Sequence, residues 1–141
     1  MTISQGQCTI FKKNCLSALE NFAAGTPYVY KIALYTADAN LSYETTTYTT
    51  VGEVVGTGYS AGGEILTVIP PATEDLTAYI SFANVTWNPA SFITRGALIY
   101  NSTTNAAVAV LDFGADKIPT STFTVTFPTN NATNAIIRFS N

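Results

Sequence analysis

Phe-Thr-Val-Thr-Phe, at residues 123–127, alternates apolar and hydroxyl side chains with a period of two. Successive side chains of a strand point to opposite faces of a sheet, so this stretch predicts a β-strand whose Phe123, Val125 and Phe127 face a core.

Ala-Ala-Val-Ala-Val-Leu-Asp-Phe, at residues 106–113, is apolar almost throughout. It predicts a central strand covered on both faces, although a short buried helix has the same pattern. We favour the strand because its neighbours are also predicted to be strands.

Short runs rich in Val, Ile, Thr, Tyr and Phe continue in both directions from these two stretches, separated by Gly, Pro, Asn and Asp. Strands are predicted at 28–36, 64–69, 77–86, 92–100, 106–113, 121–127 and 135–139. Their regular spacing indicates a two-sheet β-sandwich of immunoglobulin-like or jelly-roll connectivity. The pattern does not distinguish these two topologies.

One segment has helical rather than strand periodicity. Between Ser4 and Ala24, apolar residues recur every three or four positions, and Gly25 and Pro27 then end the pattern. The sequence therefore predicts an all-β fold with one N-terminal α-helix that packs outside the sandwich or projects from it. The division is an amphipathic helix and connector at 1–27 and a β-sandwich domain at 28–141.

The composition excludes several classes of function. Charged residues make up 11% of the 141 residues and hydrophobic residues 47%, which is the opposite of the balance in a disordered chain. The net charge of −3 and the lack of a basic run argue against binding of nucleic acid. The chain has no histidine, the commonest general base and the usual ligand of catalytic zinc. We therefore expect neither catalytic activity nor a cofactor.

The two cysteines, Cys8 and Cys15, lie seven positions apart. On a helix this places them roughly 10 Å apart, too far for a disulfide, so both are expected to be free thiols.

We find neither a signal-peptide pattern nor an apolar run long enough to cross a membrane. The expectation is synthesis in the cytoplasm and no membrane association.

Two groups of residues have both a chemical and a structural interpretation. Asp112 and Asp116 are a candidate carboxylate pair for glycoside hydrolysis or for calcium, but a turn held by side-chain hydrogen bonds is the simpler interpretation. Trp87 is either a platform on which a sugar stacks, as in a carbohydrate-binding module, or a core residue. The core interpretation is favoured.

A contact with another subunit is the more promising hypothesis. The weakly charged, Thr- and Gly-rich segment 37–63 is too long for an idle loop in a compact domain, so it and the N-terminal helix are the candidate contact elements. Arg95 stands alone in an apolar strand, which indicates either an internal ion pair or an interface anchor. The candidate interface residues are Ile10, Phe11, Tyr48, Gly58, Tyr59, Gly62 and Arg95.

The order of residues from Tyr28 to the end resembles that of a small virion structural protein of tailed bacteriophages. The N-terminal helix matches less closely. The resemblance is carried by Tyr30–Thr36, Thr47–Thr50, Glu53–Gly63, Trp87, Phe92, Thr94–Asn101, Val110–Gly114, Asp116, Lys117, Phe123–Pro128 and Ala135–Arg138.

This resemblance implies a non-enzymatic particle component, and we expect a capsid decoration or cement protein on the exterior of the virion head. Its expected partners are the major capsid protein or other virion proteins. We also expect a homo-oligomer, a dimer or a trimer, because identical subunits on a shell usually form closed symmetric assemblies. The alternative is a neck, tail or fibre-base protein.

Overall fold

The computed structural model describes residues 2–140, and its regular secondary structure is almost entirely β-strand. The strands are β1 (Gly6–Gln7), β2 (Tyr30–Tyr35), β3 (Glu64–Ile65), β4 (Val68–Glu74), β5 (Thr77–Phe82), β6 (Val85–Trp87), β7 (Thr94–Asn101), β8 (Ala106–Lys117), β9 (Phe123–Val125) and β10 (Ile137–Ser140). One helix, α1 (Thr9–Leu16), lies between β1 and β2. The prediction of an all-β fold with one N-terminal helix is confirmed.

The described strands form three sheets that share one hydrophobic core. The largest has five strands in the order β1-β8-β7-β2-β3, and the others have the orders β10-β5-β4 and β6-β9. All paired strands are antiparallel. Phe82 of β5 and Trp87 of β6 pack into the same core cluster as the large sheet. The packing is therefore sandwich-like, although the strands form three sheets and not two.

The strand at 106–113 is confirmed as a central strand. It is part of β8, which lies between β1 and β7, and its residues Ala107–Leu111 are buried. Helix α1 packs against β8, so a side chain on either face of this strand meets protein. This explains why the sequence of the strand is apolar in both of its alternating positions.

The N-terminal helix is shorter than the predicted 4–24. Residues before it pair with β8, where Gly6 lies opposite Val110. At its end, the N–H of Leu19 bonds to the carbonyl of Asn14 and the N–H of Ala18 to that of Cys15, with Ala18 at φ 59°. This is the Schellman motif, which satisfies the last carbonyls of a helix and turns the chain away from the helix axis.

The helix is not a projecting element. Phe11 is fully buried and packs against Phe22, 6.0 Å between ring centroids. Leu16, in contrast, is 91% exposed. Among the described residues, no helix has the length and apolar character needed to cross a membrane.

Candidate functional site

Segment 37–63 is a packed part of the fold. Its backbone bonds to the N-terminal strand region through Leu41 and to β2, where the N–H of Val54 donates to the carbonyl of Leu34 at 3.0 Å. Ala39, Leu41 and Val54 are buried on its inner side. The segment is therefore an ordered layer on the large sheet, as expected for a long connection that is not disordered.

A buried carboxyl group organises this layer. Glu53 accepts hydrogen bonds from the Tyr48 hydroxyl at 2.5 Å, the Tyr59 hydroxyl at 2.8 Å and the Gly62 N–H at 2.6 Å. Three donors from three parts of the segment thus converge on one side chain. A buried carboxyl group is tolerated when its oxygens are hydrogen-bonded in this way, and losing a donor is costly.

The same hydrogen-bond network includes groups of strands β2 and β7. Tyr59 accepts a hydrogen bond from the N–H of Leu34 at 2.9 Å. The hydroxyl of Tyr100, on β7, donates to the Gly62 carbonyl at 2.7 Å, and its ring stacks on Tyr48 with 4.8 Å between centroids. The segment is therefore anchored to β2 and β7 by side chains as well as by backbone.

The phenols of this network are held in their protonated, donating form. Burial, and secondarily the nearby Glu53, raises the pKa of Tyr100 to about 12. Burial also raises the pKa of Tyr48 and of Tyr59 well above the ordinary phenol value, and the hydrogen bond to Glu53 acts in the same direction. Both hydroxyls consequently stay donors throughout the neutral pH range.

Several predicted interface residues serve this interior. Tyr48, Tyr59 and Gly62 surround Glu53, and Phe11 lies in the core. Glu53 itself is not among the residues selected from the sequence. The signal that identifies it is that Glu53 is the sole charged residue between Glu44 and Glu64.

Gly58 is exposed but has a structural reason to be glycine. Its φ is +88°, and a Cβ atom at this position would lie 1.8 Å from the carbonyl oxygen of Pro89. Both the backbone conformation and the close approach exclude a side chain. Gly58 thus allows segment 37–63 to contact the chain around Pro89.

Arg95 forms an internal ion pair, one of its two predicted roles. Its guanidinium lies 3.7 Å from a carboxyl oxygen of Asp112 and 3.9 Å from one of Asp116. All three side chains are partly exposed, so the contribution of these contacts to stability is small. The two candidate carboxylates thus share one guanidinium as their ion-pair partner.

Trp87 is a core residue. It is 2% exposed and packs between Tyr59 and Phe123, with centroid distances of 6.4 and 6.0 Å. A sugar cannot stack on a ring that is buried in this way. The candidate sugar platform is therefore wrong, and the preferred core interpretation is confirmed.

The outer side of segment 37–63 carries exposed apolar side chains. Val55 is 94% exposed and Val51 is 69% exposed. Gly56 packs against Phe92, so Val55 and the exposed Ile93 flank the same backbone contact. Single exposed apolar residues are ordinary, but here they lie on a layer whose conformation is set by the Glu53 network.

The two predicted contact elements meet at another place. The N–H of Thr9, at the start of α1, donates to the carbonyl of Tyr43 at 2.9 Å. Between them is a shallow depression of about 420 Å³, lined by Thr9, Ile10, Lys13, Tyr43, Glu44 and Thr46. The structure thus places Ile10 of the predicted interface residues beside residues of segment 37–63.

No protein-family model, curated protein or solved structure matches this chain. Within residues 2–140, no three His, Cys, Asp or Glu side chains are grouped so that they would hold a metal ion.

Proposed function

We propose that this chain is a non-enzymatic structural protein of a phage particle, a decoration protein that binds the exterior of the head and stabilises contacts between major capsid subunits. The proposal rests on the residue pattern that resembles small virion structural proteins. It is supported by one observation above all: Val51 and Val55 are exposed on a layer that is already ordered in the isolated chain.

A preformed surface suits such attachment because little conformational entropy is lost when it binds. The surface also carries few charges, since Glu53 is buried and segment 45–52 has none. Contacts of this kind are weakly screened by salt. A decoration protein then stabilises the assembled shell by mass action, since it binds that state better than the free subunits.

The alternative position is the neck, tail or fibre base of the same particle. The same exposed surface would then contact a different virion protein. Location in the particle, and not the fold, separates the two.

Attachment is tested with particles that lack the protein, to which purified variants are added back and counted after sedimentation. Val55→Asp and Val51→Asp are expected to lower occupancy at least about tenfold, because a desolvated carboxylate in an interface is costly. Leu76→Asp is the matched control, since Leu76 is exposed on the turn between β4 and β5. Wild-type occupancy of both valine variants, or loss only with Leu76→Asp, would overturn the proposed attachment surface.

A further inference from the structure

The depression between α1 and residues 43–46 has an apolar centre. Ile10 is partly exposed on the helix side, and Tyr43 is 60% exposed on the loop side. Tyrosine is enriched among the residues that dominate binding energy at interfaces, since its ring buries a large area at a small entropic cost. This chain leaves most of the Tyr43 ring uncovered.

The two walls of the depression carry opposite charges. Lys13 projects from α1, and Glu44 belongs to the loop that faces it. Both are exposed, and neither takes part in an ion pair within the described chain, where the ion pairs join Arg95 to Asp112 and to Asp116. One cation and one anion therefore line the same depression, and neither has an ion-pair partner within the described residues.

The charges of this arrangement are complementary to themselves under a twofold rotation. A twofold axis through the depression places the α1 wall of one copy opposite the loop wall of the other, so that each Lys13 meets the second copy's Glu44. In an isologous interface, residue i of one copy contacts residue j of the other while j contacts i. The apolar centre then brings the Ile10 and Tyr43 side chains of the two copies together.

We propose that this depression is a self-association interface, through which two copies of the chain form a symmetric dimer. The inference goes beyond the proposed function, because it does not require attachment to a particle. Val51 and Val55 do not line the depression, so a dimer formed there is expected to present two attachment surfaces.

The test is sedimentation velocity on the purified full-length chain up to about 100 µM, a range that detects even weak dimers. Wild type is expected to dimerise. Lys13→Glu and Glu44→Lys are each expected to weaken the dimer at least about tenfold, because each creates like-charge contacts at two symmetry-related positions. The double variant Lys13→Glu/Glu44→Lys restores the opposite charges and is expected to recover most of the association.

Lys12→Glu is the matched control for the charge change. Lys12 is exposed on the same helix but does not line the depression, so its reversal is expected to leave the dimer within about twofold of wild type. Tyr43→Ala, which removes the apolar centre without a charge, is expected to weaken the dimer as well.

A wild-type chain that stays monomeric over this range overturns the proposal. So does a double variant that associates no better than the single variants, or a loss of association with Lys12→Glu equal to that with Lys13→Glu. Adding the same variants back to particles separates the two hypotheses. A monomer that still decorates particles contradicts the dimer alone, and a dimer that is absent from particles contradicts the proposed function alone.

Discussion

The hydroxyl of Tyr59 donates a hydrogen bond to Glu53 at 2.8 Å. The same hydroxyl accepts a hydrogen bond from the N–H of Leu34 at 2.9 Å, and thereby joins the carboxyl group of segment 37–63 to the edge of strand β2. This relationship explains how a long connection without helix or strand of its own becomes a defined surface. The buried Glu53 and its hydrogen-bond donors fix the conformation of segment 37–63, and the exposed Val51 and Val55 remain free to contact a partner.

Replacing Glu53 by Gln tests this network. The amide that replaces one carboxyl oxygen brings donors to a site whose neighbours, Tyr48, Tyr59 and Gly62, all donate. We expect the free energy of unfolding, measured with urea, to fall by about 2–3 kcal/mol. Glu64→Gln is the control, because Glu64 is exposed, and it is expected to change stability by less than about 0.5 kcal/mol. Equal stability of the two variants would show that the network does not hold the layer.

Gly58→Ala tests the contact with Pro89. The added Cβ atom would lie 1.8 Å from the Pro89 carbonyl oxygen, so the backbone must shift, and the expected loss is more than about 3 kcal/mol. Gly114→Ala is a matched control with a φ of +80° and no atom within 4 Å of the added Cβ. Its expected loss is about 1 kcal/mol, from the backbone conformation alone. Similar melting temperatures for the two variants would contradict the close approach at Gly58.

Ala18→Gly is expected to stabilise the protein. Ala18 occupies the left-handed position of the Schellman motif at φ 59°, where glycine avoids the steric cost of a Cβ atom. This gain exceeds the entropy that glycine adds to the unfolded chain, and we expect a net increase of about 0.5–1 kcal/mol in urea unfolding. Ala24→Gly, at an exposed position that is not left-handed, is expected to lower stability instead. A loss with both variants would contradict the proposed helix end.

The partly buried carboxyl group of Glu20 is expected to make the free energy of unfolding depend on pH. Burial raises its pKa above the ordinary glutamate value, although hydrogen bonds from Asn101 and Tyr30 act in the opposite direction. Between the ordinary and the raised pKa the folded state therefore binds more protons than the unfolded state, so this group makes stability fall as pH rises through that window.

Glu20→Gln removes this dependence while keeping an oxygen that accepts the bonds from Asn101 and Tyr30. We expect the variant to be more stable than wild type at pH 7, with the difference shrinking as the pH falls toward the ordinary glutamate pKa. Unfolding curves at a series of pH values measure it, and Glu74→Gln, an exposed carboxyl group, provides the control. Parallel profiles for wild type and Glu20→Gln would refute the assignment.

The strand pattern could be predicted because it depends on local alternation and on turn residues. The apolar strand starting at Ala106 is present as predicted, and β9 (Phe123–Val125) covers only the middle of the predicted strand 121–127. The predicted strand 64–69 is instead divided into β3 and β4, which belong to different sheets, and the predicted strand 77–86 is divided in the same way into β5 and β6. The strand propensity of a local sequence cannot reveal which sheet the strand joins, since that depends on strands that are distant along the chain.

The helix is shorter than its sequence pattern predicts for a similar reason. Leu19, with its apolar spacing, continues the helical pattern but is exposed, while Glu20 and Phe22 turn onto the sheet. Asn101 bonds to Glu20 across 81 positions, and Tyr30 stacks on Phe22 at 4.5 Å. These tertiary contacts outweigh helix propensity, which is a weak preference.

The sequence indicates the segment of the candidate site but not which of its residues are exposed. Segment 37–63 was identified from its length and composition, whereas its exposed valines and its buried Glu53 depend on which side of the layer faces the sheet. A segment without regular strand or helix has no period, so its sequence does not reveal that side. Tyrosines with one polar end are equally suited to either side.

The most direct test of the central claim is a cryo-EM map of purified virions, with and without this protein, at a resolution that shows its fold. The proposal predicts density repeated over the exterior of the head at symmetry-related positions, with the surface around Val51 and Val55 against the major capsid protein. Density confined to the neck, tail or fibres, or purified particles without the protein, would contradict the decoration role.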